Sequence, residues 1–564
     1  MKSEEKMLVQ FSTWLTHQFP YLMVFASAFS GFSIVFVLNL GLEGAIRLSL
    51  FAVTALIGLS GLFAWLLVNE IASRDGMTGL PINDLIYWAI FLIAGVIVGL
   101  SVIRFFTPLL EKIKRKLTLK TSMERNTKID VRRIQDFMPE GGRVFNPEKY
   151  FKEGDFFLGL NEKEKPIYWG SSRLPHVQIA GATGTGKGVF IGMLESQALL
   201  NNATVVNIDP KNDEFGAHVL FEAAKNSGCS YYFIDLRQEA PPQINLFKNS
   251  SEYEIFSMFE AAFSLSPKGG DSDFFRIADR RAAKLISKKA EKGNYTPAQL
   301  FTEFETYLMK DAPGFGGNLE EMASLNAVNA KEGLDLDEII SNGAAIYVIG
   351  STRNSSVIAM QRMLLVKLIQ IAERRERMGN EKPRQIMAVV DELSYQISAT
   401  VLESLKTSRD KGLNLIMAHQ SMSDLRSGPK DLDPQAVEGA VMENGTLKLI
   451  YRVEDVELCE KLAKKSGRIQ VDDEARNVRK NIALAESVDS ERVIRQSERE
   501  LISAEMFGNL PKGVGVLFGV GLAQFTLTSP MQLQQRHAEA YQLHEAEGVS
   551  LNDLQNAPDN RFPE

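Results

Sequence analysis

The chain has 564 residues, a formal net charge of −7 and only two cysteines, Cys229 and Cys459. This length exceeds one ordinary domain and indicates three or four structural units. The acidic balance excludes a protein held on nucleic acid by bulk charge, so any such contact must be local. Two distant cysteines without metal-ligand spacing exclude a disulfide framework and fit a reducing compartment.

The first 105 residues contain three stretches without formal charge: Phe11 to Leu42, Leu48 to Asn69 and Leu85 to Ile103. Each is long enough for a helix to cross a hydrocarbon core of roughly 30 Å. We predict a transmembrane region over residues 1–105 with two or three helices, since the first stretch can also be re-entrant or interfacial. Ten Lys and Arg residues between 104 and 133 place the following linker, residues 106–153, in the cytoplasm. The side of the N-terminus stays open.

From residue 154 the pattern becomes globular, and residues 177–190 read VQIAGATGTGKGVF. A buried strand, a glycine-rich turn and an apolar-periodic helix follow one another, and Gly181, Gly186 and Lys187 match the spacing G-x-x-x-x-G-K. Such a turn directs backbone N–H groups and a lysine at nucleotide phosphates. The predicted phosphate-binding residues are Gly181, Ala182, Thr183, Gly184, Thr185, Gly186, Lys187 and Gly188.

The phosphate loop departs from the usual pattern at its last position. Gly188 stands where a Ser or Thr hydroxyl ordinarily binds Mg²⁺. The hydroxyls of Thr183 and Thr185 are close in sequence, and the ligand that replaces the usual one stays open.

The remainder of the chain alternates helices with short β-rich runs, interrupted by a helical stretch. This alternation predicts a mostly parallel sheet with helices on both faces. We assign residues 154–250 and 343–529 to a nucleotide-binding domain in two parts, 251–342 to an all-α domain, and 530–564 to an acidic, mobile or partner-bound tail.

One helix of the all-α stretch carries basic residues every four positions: Arg276, Arg280, Lys284, Lys288 and Lys292. Like charges along one face destabilise a helix unless an anion lies opposite. This row is either a solvated face or a contact for nucleic acid or another anionic partner, and Arg276, Arg280, Lys284 and Lys288 are the candidate DNA-binding residues.

Two further strands end in residues suited to nucleotide hydrolysis. The run IMAVV is followed by Asp391, a candidate Mg²⁺ ligand, and by Glu392, a candidate general base for the attacking water. A later strand ends at Gln420, whose amide can contact the γ-phosphate. Arg409 would suit a finger that reaches a neighbouring subunit's nucleotide.

Four motifs together resemble the type IV coupling proteins of the TraD/TraG family. They are GATGTGKG at 181–188, NIDPKNDE at 207–214, AVVDE at 388–392 and MAHQS at 417–421. The resemblance covers about residues 154–527. It implies a RecA-like P-loop ATPase that uses ATP and Mg²⁺, with Lys187, Asp391, Glu392 and Gln420 in the roles given above and Arg409 acting in trans.

The resemblance also implies a cellular role. Such a protein is a hexamer at the bacterial inner membrane, multi-pass, with its ATPase domain in the cytoplasm. It receives relaxase-bound, single-stranded DNA and relaxosome proteins and passes DNA to a type IV secretion channel in conjugation. An FtsK-like pump for double-stranded DNA and a substrate-docking receptor that hardly hydrolyses ATP are the alternatives.

Overall fold

The computed structural model describes residues 2–39, 44–74, 80–119, 134, 138–267, 272–375, 383–429, 431–480 and 486–555. The chain divides into two units. One unit comprises Met1–Ile129 and Gln470–Glu498, and the other comprises Asp130–Ile469 and Arg499–Glu564.

Three long helices form most of the first unit: α1 (Lys2–Asn39), α2 (Gly44–Arg74) and α3 (Ile82–Leu119). Within them, His17–Leu38, Ile46–Glu70 and Ile82–Phe106 are each long and apolar enough to cross a membrane. Helix α1 packs against both α2 and α3. Glycine permits part of this packing, because a Cβ atom at Gly95 would lie 2.2 Å from the Ala28 carbonyl oxygen.

The elements after α3 follow in chain order: β1 (Phe156–Leu160), β2 (Pro166–Trp169), β3 (Val177–Ala180), α4 (Lys187–Leu200), β4 (Thr204–Asp209), α5 (Gly216–Ser227), β5 (Ser230–Asp235), α6 (Glu252–Phe263), α7 (Ser272–Lys292), α8 (Pro297–Asp311), α9 (Pro313–Ala323), α10 (Leu336–Asn342), β6 (Ala344–Ile349), α11 (Ser355–Arg374), β7 (Ile386–Val390), α12 (Leu393–Gln396), α13 (Ala399–Thr407), β8 (Leu413–His419), α14 (Met422–Arg426), α15 (Pro434–Asn444), β9 (Leu447–Ile450), α16 (Val456–Ser466), β10 (Arg468–Lys480), β11 (Glu486–Glu500), α17 (Ala504–Gly508), β12 (Val514–Phe518), β13 (Gln524–Leu527) and α18 (Leu551–Gln555).

Eleven of these strands form one sheet in the order β2-β1-β13-β12-β9-β3-β8-β7-β4-β6-β5. The seven strands from β9 to β5 are parallel, and the four at the other end pair antiparallel. The phosphate-loop strand β3 lies inside the parallel part, between β9 and β8. The prediction of a mostly parallel, RecA-like P-loop sheet is confirmed.

The central strands are apolar throughout because both of their faces are covered. Successive side chains of a strand point to opposite faces, so Val205 joins one hydrophobic core and Val206 the other. Tyr347 and Val348 of β6 divide in the same way. Continuous apolar strands of this kind are typical of parallel sheets with helices on both sides.

Five helices, α6 to α10, lie between β5 and β6 in the chain. Helix α6 packs against α7 and α11, which joins this helical group to the sheet. Helix α11 is apolar enough to be a membrane span, but 78% of it is buried inside its own unit. Its hydrophobicity therefore reflects the protein core.

Strands β10 and β11 form a separate two-stranded sheet. Their residues lack the apolar alternation that would predict a ribbon, so these two strands were not expected. Two strands alone bury little apolar surface, so such a ribbon is marginally stable by itself.

Residues 530–555, named here the C-terminal strap, lie along their own unit. The backbone N–H of His537 donates to His218 Nδ1 at 3.2 Å, and the Tyr231 hydroxyl donates to the Ala540 carbonyl at 2.8 Å. Further on, the Val549 N–H donates to the Asn329 carbonyl at 3.0 Å. The expectation of a mobile tail does not fit these residues, because backbone hydrogen bonds and aromatic contacts hold them. The alternative of a partner-bound tail stays a prediction. Residues 556–564 lie outside the described residues.

Candidate nucleotide site

The candidate site lies at the carboxyl edge of the parallel strands, where open α/β sheets bind their ligands. Strand β3 leads into the phosphate loop, β7 into Asp391, β8 into Gln420 and β4 into the segment that contains Lys211. Because β3, β8, β7 and β4 are consecutive in the sheet, these four chain segments are neighbours in space.

The phosphate loop has the backbone geometry that its glycines permit. Gly184 and Gly186 have φ angles of 76° and 130°, which side chains with a Cβ atom rarely adopt. A Cβ atom at Gly186 would also lie 3.0 Å from the ring of Tyr451. The loop is braced from β9, since the Ala182 N–H donates to the Arg452 carbonyl at 2.8 Å.

Lys187 is the first residue of α4 and is buried. Its Nζ donates to the carbonyl oxygens of Gly181 at 2.7 Å and Ala182 at 3.3 Å, so the ammonium lies over its own loop. Burial lowers the pKa of Lys187, and the carboxylates of Asp391 and Glu392 oppose this effect. The ammonium is thus bound by its own loop and lies within electrostatic reach of the acidic pair.

Glu392 has an unusual backbone conformation for a glutamate. Its φ and ψ angles are 54° and 61°, in the left-handed region, and it immediately precedes the short helix α12. Such a conformation costs of order 1–3 kcal/mol outside glycine and persists only where the surroundings impose it. The side chain is only 6% exposed. The turn therefore fixes the direction in which the carboxylate points.

Two donors from different strands contact the Glu392 carboxylate, and both contact the same oxygen. Gln420 Nε2 donates to Oε1 at 2.8 Å, and Lys211 Nζ forms an ion pair with Oε1. Although burial alone would raise it, these two hydrogen bonds hold the pKa of Glu392 below its ordinary value. Gln420 also accepts a hydrogen bond from the Thr183 hydroxyl at 3.4 Å, which joins the phosphate loop to the acidic pair.

Lys211 is the residue of this site to which the sequence motifs assigned no role. It follows Asp209 and Pro210 directly after β4. Its contact with Glu392 can be inferred only once β4 and β7 are known to be neighbours. The sequence feature that could have indicated Lys211 is a lysine just after a strand end, and the motif NIDPKNDE contains it.

Asp391 and its surroundings are suited to a divalent cation. Burial raises the pKa of Asp391 to about 6, with Lys211 opposing and Glu392 adding to the shift. A half-buried carboxylate of this kind is a hard oxygen ligand, as Mg²⁺ prefers. Gly188 is exposed, and a Cβ atom there would meet nothing within 4 Å. The Thr185 hydroxyl donates to the Ala182 carbonyl at 2.7 Å, so it is engaged by its own loop.

Behind the site, a chain of buried hydrogen bonds crosses three neighbouring strands. Lys448 Nζ donates to Gln178 Oε1 at 2.9 Å, which orients the amide so that Gln178 Nε2 faces His419 Nε2 at 2.9 Å. His419 Nε2 must then accept, so Nδ1 carries the proton and faces the Ser421 carbonyl at 3.2 Å. Burial lowers the pKa of His419 to about 4, which keeps the ring neutral. This chain fixes the strand end that carries Gln420.

Arg409 does not join this group. It is exposed and lies in a 3-10 turn before β8, at the amino edge of the sheet. Strand β8 separates it from Gln420 by roughly 20 Å at 3.3 Å per residue. Within one copy of the chain, Arg409 is therefore at the opposite edge from the phosphate loop.

The basic row of α7 divides into inward and outward members. Arg280 forms an ion pair with Glu260 and donates to the Leu265 carbonyl at 2.7 Å, and Arg276 donates to the Ser266 carbonyl at 3.3 Å. Lys284 and Lys288 are exposed. Of the four DNA-binding candidates, two are therefore engaged by the protein itself.

Comparison with known proteins gives a family match over a segment that contains strands β7, β8 and β9 of the sheet. Residues 385–512 match the family described as "TraM recognition site of TraD and TraG". This segment contains β7, the acidic pair, Arg409 and Gln420. The likeness to the TraD/TraG family inferred from the motifs is confirmed.

A curated relative and two solved structures are also similar. Mobilization protein A of Escherichia coli is 27% identical over 350 residues, which cover 57% of this chain and 60% of that protein. The bacterial conjugative coupling protein TrwB, in an unbound monoclinic form, is 14% identical, with a TM-score of 0.49 over 73% of this chain and 97% of that one. TrwB in complex with ADP and Mg²⁺ is 16% identical, with a TM-score of 0.48 over 72% and 97%.

Proposed function

We propose that this TraD/TraG-like chain is the coupling ATPase of a conjugation system. It is anchored in the bacterial inner membrane by its N-terminal helices, with the ATPase unit in the cytoplasm. There it binds relaxase-bound DNA and relaxosome proteins and uses ATP hydrolysis to drive DNA into a type IV secretion channel.

This proposal rests on the contacts that connect the residues suited to ATP hydrolysis. Glu392 and Gln420 are in hydrogen-bond contact, Thr183 links Gln420 to the phosphate loop, and Lys187 donates to two carbonyl oxygens of that loop. A site that only held a nucleotide would not require a glutamate kept ionised and held by two donors. The arrangement is suited to water activation by a general base.

Each residue has a separate task in the proposed reaction. Lys187 and the loop N–H groups hold the phosphates, and Asp391 would hold Mg²⁺, which neutralises charge on the phosphates when bound. Glu392 accepts a proton from the attacking water. Gln420 contacts Glu392 and Thr183 at once, so it can respond to the γ-phosphate and transmit its loss to β8.

Arg409 fits the same proposal only if chains assemble. Its position at the amino edge rules it out for the nucleotide of its own chain, whereas a ring of RecA-like subunits brings such an edge to a neighbour's nucleotide. We propose a homo-hexamer in which Arg409 stabilises transition-state charge in trans.

The exposed lysines of α7 are the proposed DNA contact in the helical group. Lys284 and Lys288 extend into solvent one helical turn apart, which suits two phosphates of a backbone. Arg276 and Arg280 support the helix from within.

The test is ATP hydrolysis by the full-length protein in detergent, with and without single- and double-stranded DNA, beside Glu392→Gln. We expect stimulation by single-stranded DNA that is lost in the variant. Stimulation by double-stranded DNA alone would favour an FtsK-like pump. DNA binding with background hydrolysis in both proteins would favour a docking receptor.

A further inference from the structure

The motif NIDPKNDE contributes a lysine to the acidic pair, and this contact has no place in the roles assigned so far. From the contact of Lys211 Nζ with Glu392 Oε1, we infer that Lys211 is a positioning residue that holds the general base in its working orientation. This inference rests on the proposed function, because it concerns the same site.

The backbone at Lys211 is fixed independently of Glu392. The carboxylate of Asp209 accepts hydrogen bonds from the N–H groups of Lys211 at 2.8 Å, Asn212 at 3.1 Å and Asp213 at 2.6 Å. The Tyr347 hydroxyl donates to the same carboxylate at 2.6 Å from the neighbouring strand β6. Asp209 therefore closes a turn that presents the Lys211 side chain towards β7.

The two donors leave one oxygen of Glu392 available. Lys211 and Gln420 both donate hydrogen bonds to Oε1, and Oε2 accepts none from either side chain. A base held at one oxygen cannot rotate about its terminal bond without losing both contacts. Oε2 is then the oxygen presented to the attacking water, in the general pattern of a base oriented by a third group.

The two donors differ in a way that assigns them different tasks. Gln420 is neutral and also contacts the phosphate loop, so it can follow the nucleotide. Lys211 is cationic and 38% exposed, and it belongs to a turn secured by Asp209. We assign to Lys211 the constant part of the orientation and to Gln420 the part that changes during the cycle.

The experiment uses the full-length protein in detergent with Lys211→Met and Lys211→Arg. Misplacing a base by about 1 Å can cost about a hundredfold in rate. We expect Lys211→Met to lower kcat by about tenfold to a hundredfold, which does not exceed that cost. KM should stay within about threefold of the wild-type value. Lys211→Arg should recover most of kcat, since a guanidinium also donates to a carboxylate.

The matched control is Lys225→Met, which removes an exposed lysine from the end of α5 and should leave kcat unchanged. An unchanged kcat in Lys211→Met overturns the inference. A lower kcat together with a higher KM, neither of which Lys211→Arg restores, also overturns the inference. Such a result would indicate a structural role only.

Absence of ATP hydrolysis in the wild type would refute the proposed function but not this inference. A second measurement tests the inference in that case. Thermal unfolding is compared for wild type, Lys211→Met, Glu392→Gln and the double variant. We expect Lys211→Met to lower Tm in the wild type but much less beside Glu392→Gln, because only an ionised, buried carboxylate needs the ammonium. Equal shifts in both backgrounds would show that the two residues are not coupled and overturn the inference.

Discussion

At the carboxyl edge of the sheet, charged side chains face one another across neighbouring strands, whereas along α7 they divide between the protein interior and solvent. In the first region Lys187, Lys211, Asp391 and Glu392 influence one another's pKa values, so each charge has partners. In the second region Arg280 is bound by Glu260 while Lys284 and Lys288 are exposed. Strand ends thus fix which groups meet, but charge spacing along a helix does not tell which residues remain available.

The sharpest test of the first region is removal of Glu392, the proposed general base. We expect Glu392→Gln to lower the rate of ATP hydrolysis by up to about 10⁴-fold, because the amide cannot accept the water's proton. Nucleotide binding should persist, as measured with a fluorescent ATP analogue. Hydrolysis retained near the wild-type rate would assign the base to another residue.

The next largest effect is expected at the opposite edge of the same sheet. Arg409→Ala should lower hydrolysis by about 10³-fold in the assembled protein, the usual contribution of an arginine finger. Mixing it with Lys187→Ala should restore part of the activity, since each chain supplies what the other lacks. Lys406→Ala, an exposed change on α13, is the control. Failure of mixing to restore any activity would argue against action in trans.

In the second region, replacing the exposed Lys284 and Lys288 should weaken DNA binding and change little else. The double change Lys284→Ala and Lys288→Ala should reduce the slope of log affinity against log salt by about 1.4 for single-stranded DNA, at roughly 0.7 for each lost phosphate contact. A filter-binding titration over salt concentration measures this slope. The pair Lys163→Ala and Lys165→Ala, in an exposed turn after β1, removes the same charge and should leave the slope unchanged.

The smallest effect is expected from the inward member of the same helix. Arg280→Ala should cost about 1 kcal/mol of stability, because it removes a partly exposed ion pair and a contact over the ring of Phe256. Thermal unfolding would measure the loss, and the DNA salt slope should stay as in wild type. A changed slope with unchanged Tm would place Arg280 among the DNA contacts.

Much of the site was predictable because its residues directly follow buried apolar strands. The positions of Asp391 and Glu392 after IMAVV, and of Gln420 after β8, were predictable from the strand patterns together with the phosphate loop, and their roles stay predictions. The contact of Lys211 was not predictable, since its partner depends on the strand order that makes β4 a neighbour of β7. The left-handed backbone conformation of Glu392 could not be predicted either, because a glutamate does not favour it.

The fold outside the parallel strands was harder to infer, for a different physical reason. The C-terminal strap is held largely by backbone hydrogen bonds, such as Ala546 N–H to the Pro242 carbonyl at 2.9 Å, and these leave no apolar pattern in the sequence. The ribbon of β10 and β11 is rich in charge and lacks clear alternation. Motifs and apolar periodicity therefore predicted the core of the sheet and did not predict the strap or the ribbon.

The strap also has a consequence for self-association. Strand β5 is the last strand at its end of the sheet, and a strand in that position offers unpaired N–H and C=O groups to any other chain. Leu543 bridges to Phe233 of β5, and the Ala540 carbonyl accepts from Tyr231 of the same strand, so the strap shields this edge. A chain cut after Ser529 would keep every proposed catalytic group and yet expose a template for aggregation.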